Sequence, residues 1–180
     1  MKIEKLTLDN KHDLHTPNQP FDVIGCLELC FEKGKWSYCE VLSGTVTKKQ
    51  YPDFDGALAE DYIKGNGRGA YLVYVEEKCV GQILLSKSWN KYAQIEDISV
   101  AQEYRGQGIG TALIKKAEEW AENNRLSALS AECQDNNILA SRFLQKNGFM
   151  IGGVNTELYS ALGEQYSTET AVFWYKAFCK

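Results

Sequence analysis

The chain has 180 residues, with 20 Lys and Arg against 24 Asp and Glu and a formal net charge of −4. The length fits one compact domain, and the acidic balance argues against general affinity for nucleic acid, which needs clustered cations on the phosphates. Hydrophobic residues make up 44%, with four Trp, ten Tyr and seven Phe, so a sizeable core is expected and a disordered chain is not.

The opening Met1-Lys2-Ile3-Glu4-Lys5-Leu6 lacks the apolar core of a signal peptide, and no window is long enough to cross a bilayer. A soluble, cytoplasmic protein is expected. His12 and His15 stand three apart in a polar segment without further ligands nearby, so no metal site is expected. Thr16-Pro17-Asn18-Gln19-Pro20 reads as a turn or extended connection. Residues 21–31 and 36–42 are apolar-rich runs separated by Glu32-Lys33-Gly34-Lys35, which predicts a hairpin. The six cysteines, Cys26, Cys30, Cys39, Cys79, Cys133 and Cys179, form no C-x-x-C pair and read as reduced, buried thiols.

Phe54, Leu58 and Tyr62 recur every four residues and predict a helix ending near Gly65. Strands follow at residues 70–75, 79–86 and 92–100, the first two joined by the polar turn Glu76-Glu77-Lys78 as an antiparallel pair. Ile109, Leu113, Ala117 and Trp120 share one face of a helix over residues 108–124, with Lys115, Lys116, Glu118 and Glu119 largely off it. A strand at 126–133 leads to Asp135-Asn136-Asn137, which offers N-caps for a helix carrying Leu139, Ala140, Phe143 and Leu144. Gly148 suits the left-handed residue that ends this helix, and strands at 149–154 and 170–178 close the chain. This order implies an α+β fold, an α/β sandwich around one mixed sheet, within a single domain spanning 1–180.

The segment Arg105-Gly106-Gln107-Gly108-Ile109-Gly110-Thr111 joins a strand to an amphipathic helix through three alternate glycines. Glycine permits a tight turn and lets a ligand approach the N–H groups unobstructed. Those groups, with the positive end of the helix dipole, suit a phosphate or pyrophosphate, and Arg105 is expected to add a charge-assisted contact. The dinucleotide fingerprint G-x-G-x-x-G and the Walker loop G-x-x-x-x-G-K-[ST] both fail on spacing or on the missing Lys. The pattern [Q/R]-x-x-G-x-[G/A], met by Arg105, Gly108 and Gly110, resembles the acetyl-coenzyme A loop of the GNAT superfamily of N-acetyltransferases.

Asn137, Ala140 and Gly148-Phe149 extend the likeness to that superfamily's N-x-x-A-x-x-x-Y-x-x-x-G-F pattern. Trp89-Asn90-Lys91-Tyr92-Ala93-Gln94-Ile95-Glu96-Asp97-Ile98-Ser99-Val100 resembles the streptothricin acetyltransferases more narrowly. So do Phe21-Asp22-Val23-Ile24-Gly25, Gln134-Asp135-Asn136-Asn137 and Ala171-Val172-Phe173-Trp174-Tyr175, and together these blocks cover nearly the whole chain.

The resemblance implies a mostly antiparallel central sheet flanked by helices, and direct transfer of acetyl from acetyl-CoA, as co-substrate, to an amine in a ternary complex. It implies that the backbone of Ile98, Ser99 and Val100 binds the pantetheine arm. Arg105, Gly106, Gln107, Gly108, Ile109, Gly110 and Thr111 would hold the pyrophosphate, and Asn137 would reach the cofactor. An alkylamine is mostly ammonium at neutral pH, so a base is needed. Glu96 is the first choice and Asp97 the second, since in a regular strand they point to opposite faces; a bulge would reverse that order. Either carboxylate is equally explained by pairing with a basic side chain.

Where many members carry a Tyr that protonates the leaving thiolate, this chain has Leu144. Tyr159 is an alternative acid, with core packing an equally good explanation. The streptothricins are polycationic, and the resemblance implies that the acceptor is an amine on the β-lysine moiety, giving antibiotic resistance. A cleft with aromatic walls from Trp89, Tyr92 and Trp174, and with Asp53, Asp55, Glu60 and Asp61 nearby, would suit such a small cationic substrate. Each of these aromatics is also explained by the core, and the acids by a solvated helix start. Rival readings are acetylation of another small-molecule amine, a polyamine or a protein lysine, and a non-catalytic acyl-CoA sensor. No nucleic acid, membrane or metal partner is expected, and the oligomeric state, monomer or homodimer, is left open.

Overall fold

Alternating apolar positions and glycine turns set the element order of the computed structural model, which describes residues 1–53 and 58–178. The first half carries β1 (Lys2–Lys5), β2 (Phe21–Glu32), β3 (Lys35–Lys49), α1 (Ala59–Lys64), β4 (Arg68–Val75), β5 (Lys78–Lys87) and β6 (Tyr92–Val100). The second carries α2 (Ile109–Asn123), β7 (Ala128–Gln134), α3 (Ile138–Lys146), β8 (Met150–Asn155) and β9 (Ala171–Ala177). The predicted strands and helices are all present, while β1 adds a strand too short to show a pattern. Phe54 and Asp55 lie outside the described residues. By its internal contacts the chain divides into two compact units: Met1–Pro20, Gln50–Leu129 and Phe178–Lys180 in one, Phe21–Lys49 and Ser130–Ala177 in the other.

In the first unit β1, β4, β5 and β6 lie in that order, each antiparallel to its neighbour. Ala70, Leu72 and Leu84 turn to one face and pack with Leu6, Tyr62 and Cys79 beneath α1. Gly81, Ile83 and Leu85 turn to the other, where α2 packs against β5 and β6. The α2 stripe of Ile109, Leu113, Ala117 and Trp120 is buried, as its spacing predicts. A Cβ on Gly81 would lie 3.0 Å from the Ile109 side chain, so helix and sheet approach closely here. α1 stops at Gly65, whose φ of 76° only glycine adopts at no steric cost.

In the second unit β2 and β3 form a long hairpin, and β7, β9 and β8 lie in that order. The hairpin runs beyond the predicted limits: β3 reaches Lys49, pairing Thr47 with Val23 and Lys48 with Asp22. Residues 43–48 are all exposed, with Val46 their one large apolar side chain, so backbone pairing holds them without an alternating apolar signature. The core contains Leu27, Ile138, Leu144, Phe149, Val172 and Trp174. α3 begins at Asn137, whose Oδ1 accepts from the Ala140 N–H at 3.0 Å. It ends in a Schellman arrangement, with Phe149 N–H bonded to Leu144 O at 3.1 Å and Gly148 N–H to Gln145 O at 3.0 Å.

Cys79 and Cys133 are buried as expected, but Cys26, Cys30 and Cys39 are exposed. They alternate with the inward Leu27 and Leu29 on the hairpin, and the period of two puts them outside. Cys179 lies outside the described residues.

Gly69 on β4 is the tightest packing point against α2: a Cβ there would lie 2.5 Å from Trp120 Nε1. Gly69→Ala is therefore expected to destabilise the fold by about 1–3 kcal/mol, the usual cost of overpacking a filled core. Urea unfolding followed by tryptophan fluorescence checks this.

Candidate active site

The site begins with one irregularity in β6. Leu85 pairs with Ile95 and Leu84 with Asp97, which leaves Glu96 as an extra, unpaired residue in a β-bulge. Regular alternation would send Asp97 to the α2 face. The bulge instead puts it opposite Leu84, on the α1 face that Glu96 also occupies. The expectation that the two carboxylates point to opposite faces is corrected accordingly.

Their environments differ sharply. Glu96 takes Arg68 Nη1 at 2.8 Å on each carboxylate oxygen and the Tyr62 hydroxyl at 2.6 Å on Oε2. The guanidinium also lies 5.4 Å from the Tyr62 ring centroid. Burial and the hydrogen bond to Glu96 raise the Tyr62 phenol above its ordinary range. Glu96 is thus held in a partly buried ion pair with α1 and β4.

Asp97 has no such cation. Its Oδ2 accepts from Gln82 Nε2 at 2.6 Å and from Ser99 Oγ at 3.3 Å, both neutral donors. Burial pushes its carboxyl above the ordinary carboxylate range, and the two hydrogen bonds oppose this only in part. Asp97 is thus a partly buried carboxyl held by neutral donors, whereas Glu96 is bonded to the Arg68 guanidinium.

Beyond Val100, a single 3-10 turn (Gln102–Tyr104) leads to the glycine loop. Arg105 does not reach outward as expected. Its Nε donates to Val100 O at 2.8 Å, Nη1 to Pro20 O at 2.9 Å and Nη2 to Gln19 O at 3.0 Å. The guanidinium therefore ties the loop to the end of β6 and to the 19–20 segment. Gly106 and Gly108 have φ of 76° and 86°, and a Cβ on either would meet nothing within 4 Å. Their conformation demands glycine, and the space above them is open.

The first bond of α2 runs from Ala112 N–H to Gly108 O at 3.0 Å, so the N–H groups of Ile109, Gly110 and Thr111 precede the helical ladder. No side chain caps this end and no acid lies in the first turn. Open approach, oriented donors and an unopposed dipole fit a pyrophosphate. Ile98, Ser99 and Val100 form the last turn of strand leading into this loop, all partly buried.

The remaining predicted residues have surroundings of their own within their units. Asn137 caps α3 through its side chain, as described. In the second unit Tyr159 is buried and its hydroxyl donates to Glu132, whose carboxyl burial raises despite that bond. Leu144 is a core residue at 3% exposure. Trp174, at 1% exposure, is packed edge-on to Tyr38 in the core of the second unit rather than offering a wall. Trp89 is the reverse, 97% exposed on the turn before β6, while Tyr92 is partly buried. Asp53 is recorded near Asn18, with Asn18 Nδ2 donating to it at 2.8 Å. Lys11 pairs with Glu60 at 2.8 Å, and Asp61 accepts from the Leu58 N–H at 3.2 Å, so these two acids have local partners. Sequence reasoning missed Gln82, a fully buried amide in an apolar run, for which no spacing signal exists.

Residues 25–149 match the acetyltransferase (GNAT) family. The chain belongs to that family. It is 44% identical to streptothricin acetyltransferase A of Bacillus subtilis (strain 168), over 98% of this chain and 99% of that protein. Streptothricin acetyltransferase of Escherichia coli is 35% identical, over 64% of this chain and 68% of that one. A Bacillus anthracis str. Ames protein, solved in complex with acetyl coenzyme A, superposes with a TM-score of 0.90 at 31% identity, covering 98% of this chain and 99% of that one. Nourseothricin acetyltransferase shares the fold, with a TM-score of 0.81 at 22% identity over 98% and 97% of the two chains. The protein is thus a GNAT N-acetyltransferase of α+β fold, with mostly antiparallel strands flanked by helices. Among the described residues no helix is long and apolar enough to cross a membrane, and no group of His, Cys, Asp and Glu is arranged to hold a metal.

Asp97 also makes a stability prediction. Its folded pKa is raised, so the folded state favours the protonated form and loses stability as pH rises through that folded value. Asp97→Asn should therefore have a higher Tm than the parent at pH 8. The difference should vanish below about pH 4, where the parent carboxyl is protonated in both states. Thermal melts across that range measure it.

Proposed function

We propose that this GNAT acetyltransferase moves the acetyl group of acetyl-CoA to an amine of streptothricin, on its β-lysine moiety, and so confers resistance to that antibiotic. The observation that carries the reading is the 44% identity to streptothricin acetyltransferase A, which runs along almost the full length of both chains. The glycine loop supports the donor, and its backbone N–H groups from Gly106 to Thr111 would hold the pyrophosphate. Acetyl-CoA supplies an activated acetyl thioester.

The chain's own task is to make the amine nucleophilic. Asp97, partly buried and held by the neutral donors Gln82 and Ser99, takes the proton, directly or through water. Glu96 keeps Arg68 and Tyr62 in place, so the order expected from the strand pattern is reversed. A thiolate is a tolerable leaving group, and Leu144 at the position often held by Tyr is compatible with transfer. Trp89 offers an exposed aromatic face to a polycation, with Tyr92 close by in sequence. A need for acetyl-CoA as co-substrate supports a cytoplasmic location.

Release of CoA thiol is to be measured with purified protein, acetyl-CoA and a panel of streptothricin, a polyamine, an aminoglycoside and a lysine peptide. Turnover with streptothricin well above the others is expected. Turnover only with another amine would replace the substrate, and tight CoA binding without any turnover would replace the enzyme reading with a sensor. In the same assay Asp97→Asn should lower kcat by about 100-fold or more, whereas Glu96→Gln should act mainly on Tm. Gly108→Val should raise the KM for acetyl-CoA by roughly tenfold, the worth of one lost hydrogen bond to a charged group. An unchanged KM would mean that the loop does not hold the pyrophosphate.

A further inference from the structure

Gln82 is fully buried on β5, directly across from Leu72 on β4 and Ser99 on β6. A buried amide among Leu72 and Leu84 is costly unless both ends are bonded. Both are. Its Oε1 accepts from the His15 backbone N–H at 2.7 Å, and its Nε2 donates to Asp97 Oδ2 at 2.6 Å. The backbone donor fixes which end of the amide is oxygen, so the NH2 end must face Asp97.

His15 itself has φ of 69°, in the left-handed region that non-glycine residues rarely occupy. Such strain persists only where surrounding bonds impose it. Here Asn18 N–H bonds to His15 O at 2.9 Å, and the His15 ring Nδ1 lies 3.4 Å from Gln82 Nε2 and 4.0 Å from Asp53 Oδ1. A strained residue from the connection ahead of β2 therefore grips an amide in the sheet, and that amide grips the carboxylate.

We propose that Gln82, clamped by the His15 backbone, is a positioning residue that aims Asp97 for proton uptake from the acceptor amine. The inference rests on the reading of Asp97 as the base. Gln82 exchanges no proton: the ammonium proton passes to Asp97. The freed nitrogen lone pair forms the N–C bond to the acetyl carbon as the thioester C–S bond breaks, and CoA leaves as thiolate, which takes the proton the acylated nitrogen sheds. Both donors fall on Oδ2, so Oδ1 is the oxygen offered to the incoming proton. The titratable groups that act on Asp97 are His15, which lowers its basicity, and Asp53, which raises it. Adjacent Glu96 is neutralised by Arg68, with the Tyr62 phenol from α1 on the same carboxylate.

The test compares Gln82→Leu, Gln82→Glu and Asp97→Asn with the parent, measuring kcat and both KM values between pH 6 and 9 by CoA thiol release, with CoA affinity by calorimetry. Leucine keeps the volume beside Leu72 and Leu84 but removes both hydrogen bonds. Gln82→Leu should lose kcat by about 30-fold, within the range for a misaimed catalytic group, with CoA affinity unchanged. Gln82→Glu places a second carboxyl against Asp97, and sharing one proton should move the ascending, acid-side limb of log kcat up by about one pH unit.

Gln82→Leu within about threefold of the parent, together with an unmoved limb in Gln82→Glu, would overturn the proposal, because a packing glutamine moves neither. If Gln82→Leu does not fold, the limb of Gln82→Glu decides alone. Asp97→Asn with parental kcat would instead sink the assignment of Asp97, and the proposal with it; that outcome is recognised by its independence of Gln82.

Discussion

The extra residue in β6 governs the chemistry of the first unit. Strand side chains alternate with a period of two, so inserting Glu96 between the pairs Leu85–Ile95 and Leu84–Asp97 changes the face of everything that follows. Asp97 and Ser99 move to the α1 face, opposite Leu84 and Gln82, while Ile98 and Val100 turn to α2. The bulge does not interrupt the core on either side. Leu84 remains fully buried under α1, and Gly81 still meets Ile109. Two carboxylates in succession thus share one face without being equivalent, since each meets a different set of partners.

On the proposed reaction, that difference is what favours Asp97 over Glu96 as the base. Glu96 sits between a guanidinium and a phenol, both bonded to its carboxylate. Asp97 sits against an amide and a hydroxyl, whose dipoles offset only part of the desolvation. The first arrangement strengthens the link from β6 to α1 and β4; the second weakens the fold at neutral pH and raises the basicity of the group. A carboxylate whose burial is unfavourable persists where its charge is used, and this asymmetry within one dipeptide is the best structural argument for the role of Asp97.

Much of this was legible beforehand because it depends on local pattern. The period of 3.6 in Ile109, Leu113, Ala117 and Trp120, the turn at Gly65 and the stop at Gly148 each follow from residue type and spacing. The glycine loop was equally legible, since φ values of 76° and 86° at Gly106 and Gly108 require the residues found there. What escaped the sequence depends on pairing between distant segments. Nothing in Gln-Ile-Glu-Asp-Ile marks Glu96 as the bulged residue, because a bulge is defined by the partner strand. The exposure of Cys26, Cys30 and Cys39 likewise depends on which face of the hairpin meets the core, and Trp174 and Trp89 look alike until burial separates them. Arg105 was given to a phosphate from its place in the motif, yet three carbonyls of its own unit hold its guanidinium.

The Arg105 contacts bear on how the loop binds at all. A loop with two left-handed glycines loses more backbone entropy on ordering than one without them, and an anion that had to impose that order would bind correspondingly less tightly. Here the order is present already: Arg105 spans from Val100 to the carbonyls of Gln19 and Pro20, Gln102 N–H bonds to Gln19 Oε1 at 2.8 Å, and Gln107 Nε2 bonds to Glu103 O at 3.0 Å. An arginine directed at a phosphate would add one charged contact. Directed inward, it holds several backbone N–H groups in one orientation before any ligand arrives. The same segment that receives the guanidinium, residues 15–20, also carries the His15 N–H that grips Gln82. One short stretch of chain therefore braces both the glycine loop and Asp97, the carboxylate proposed as the base.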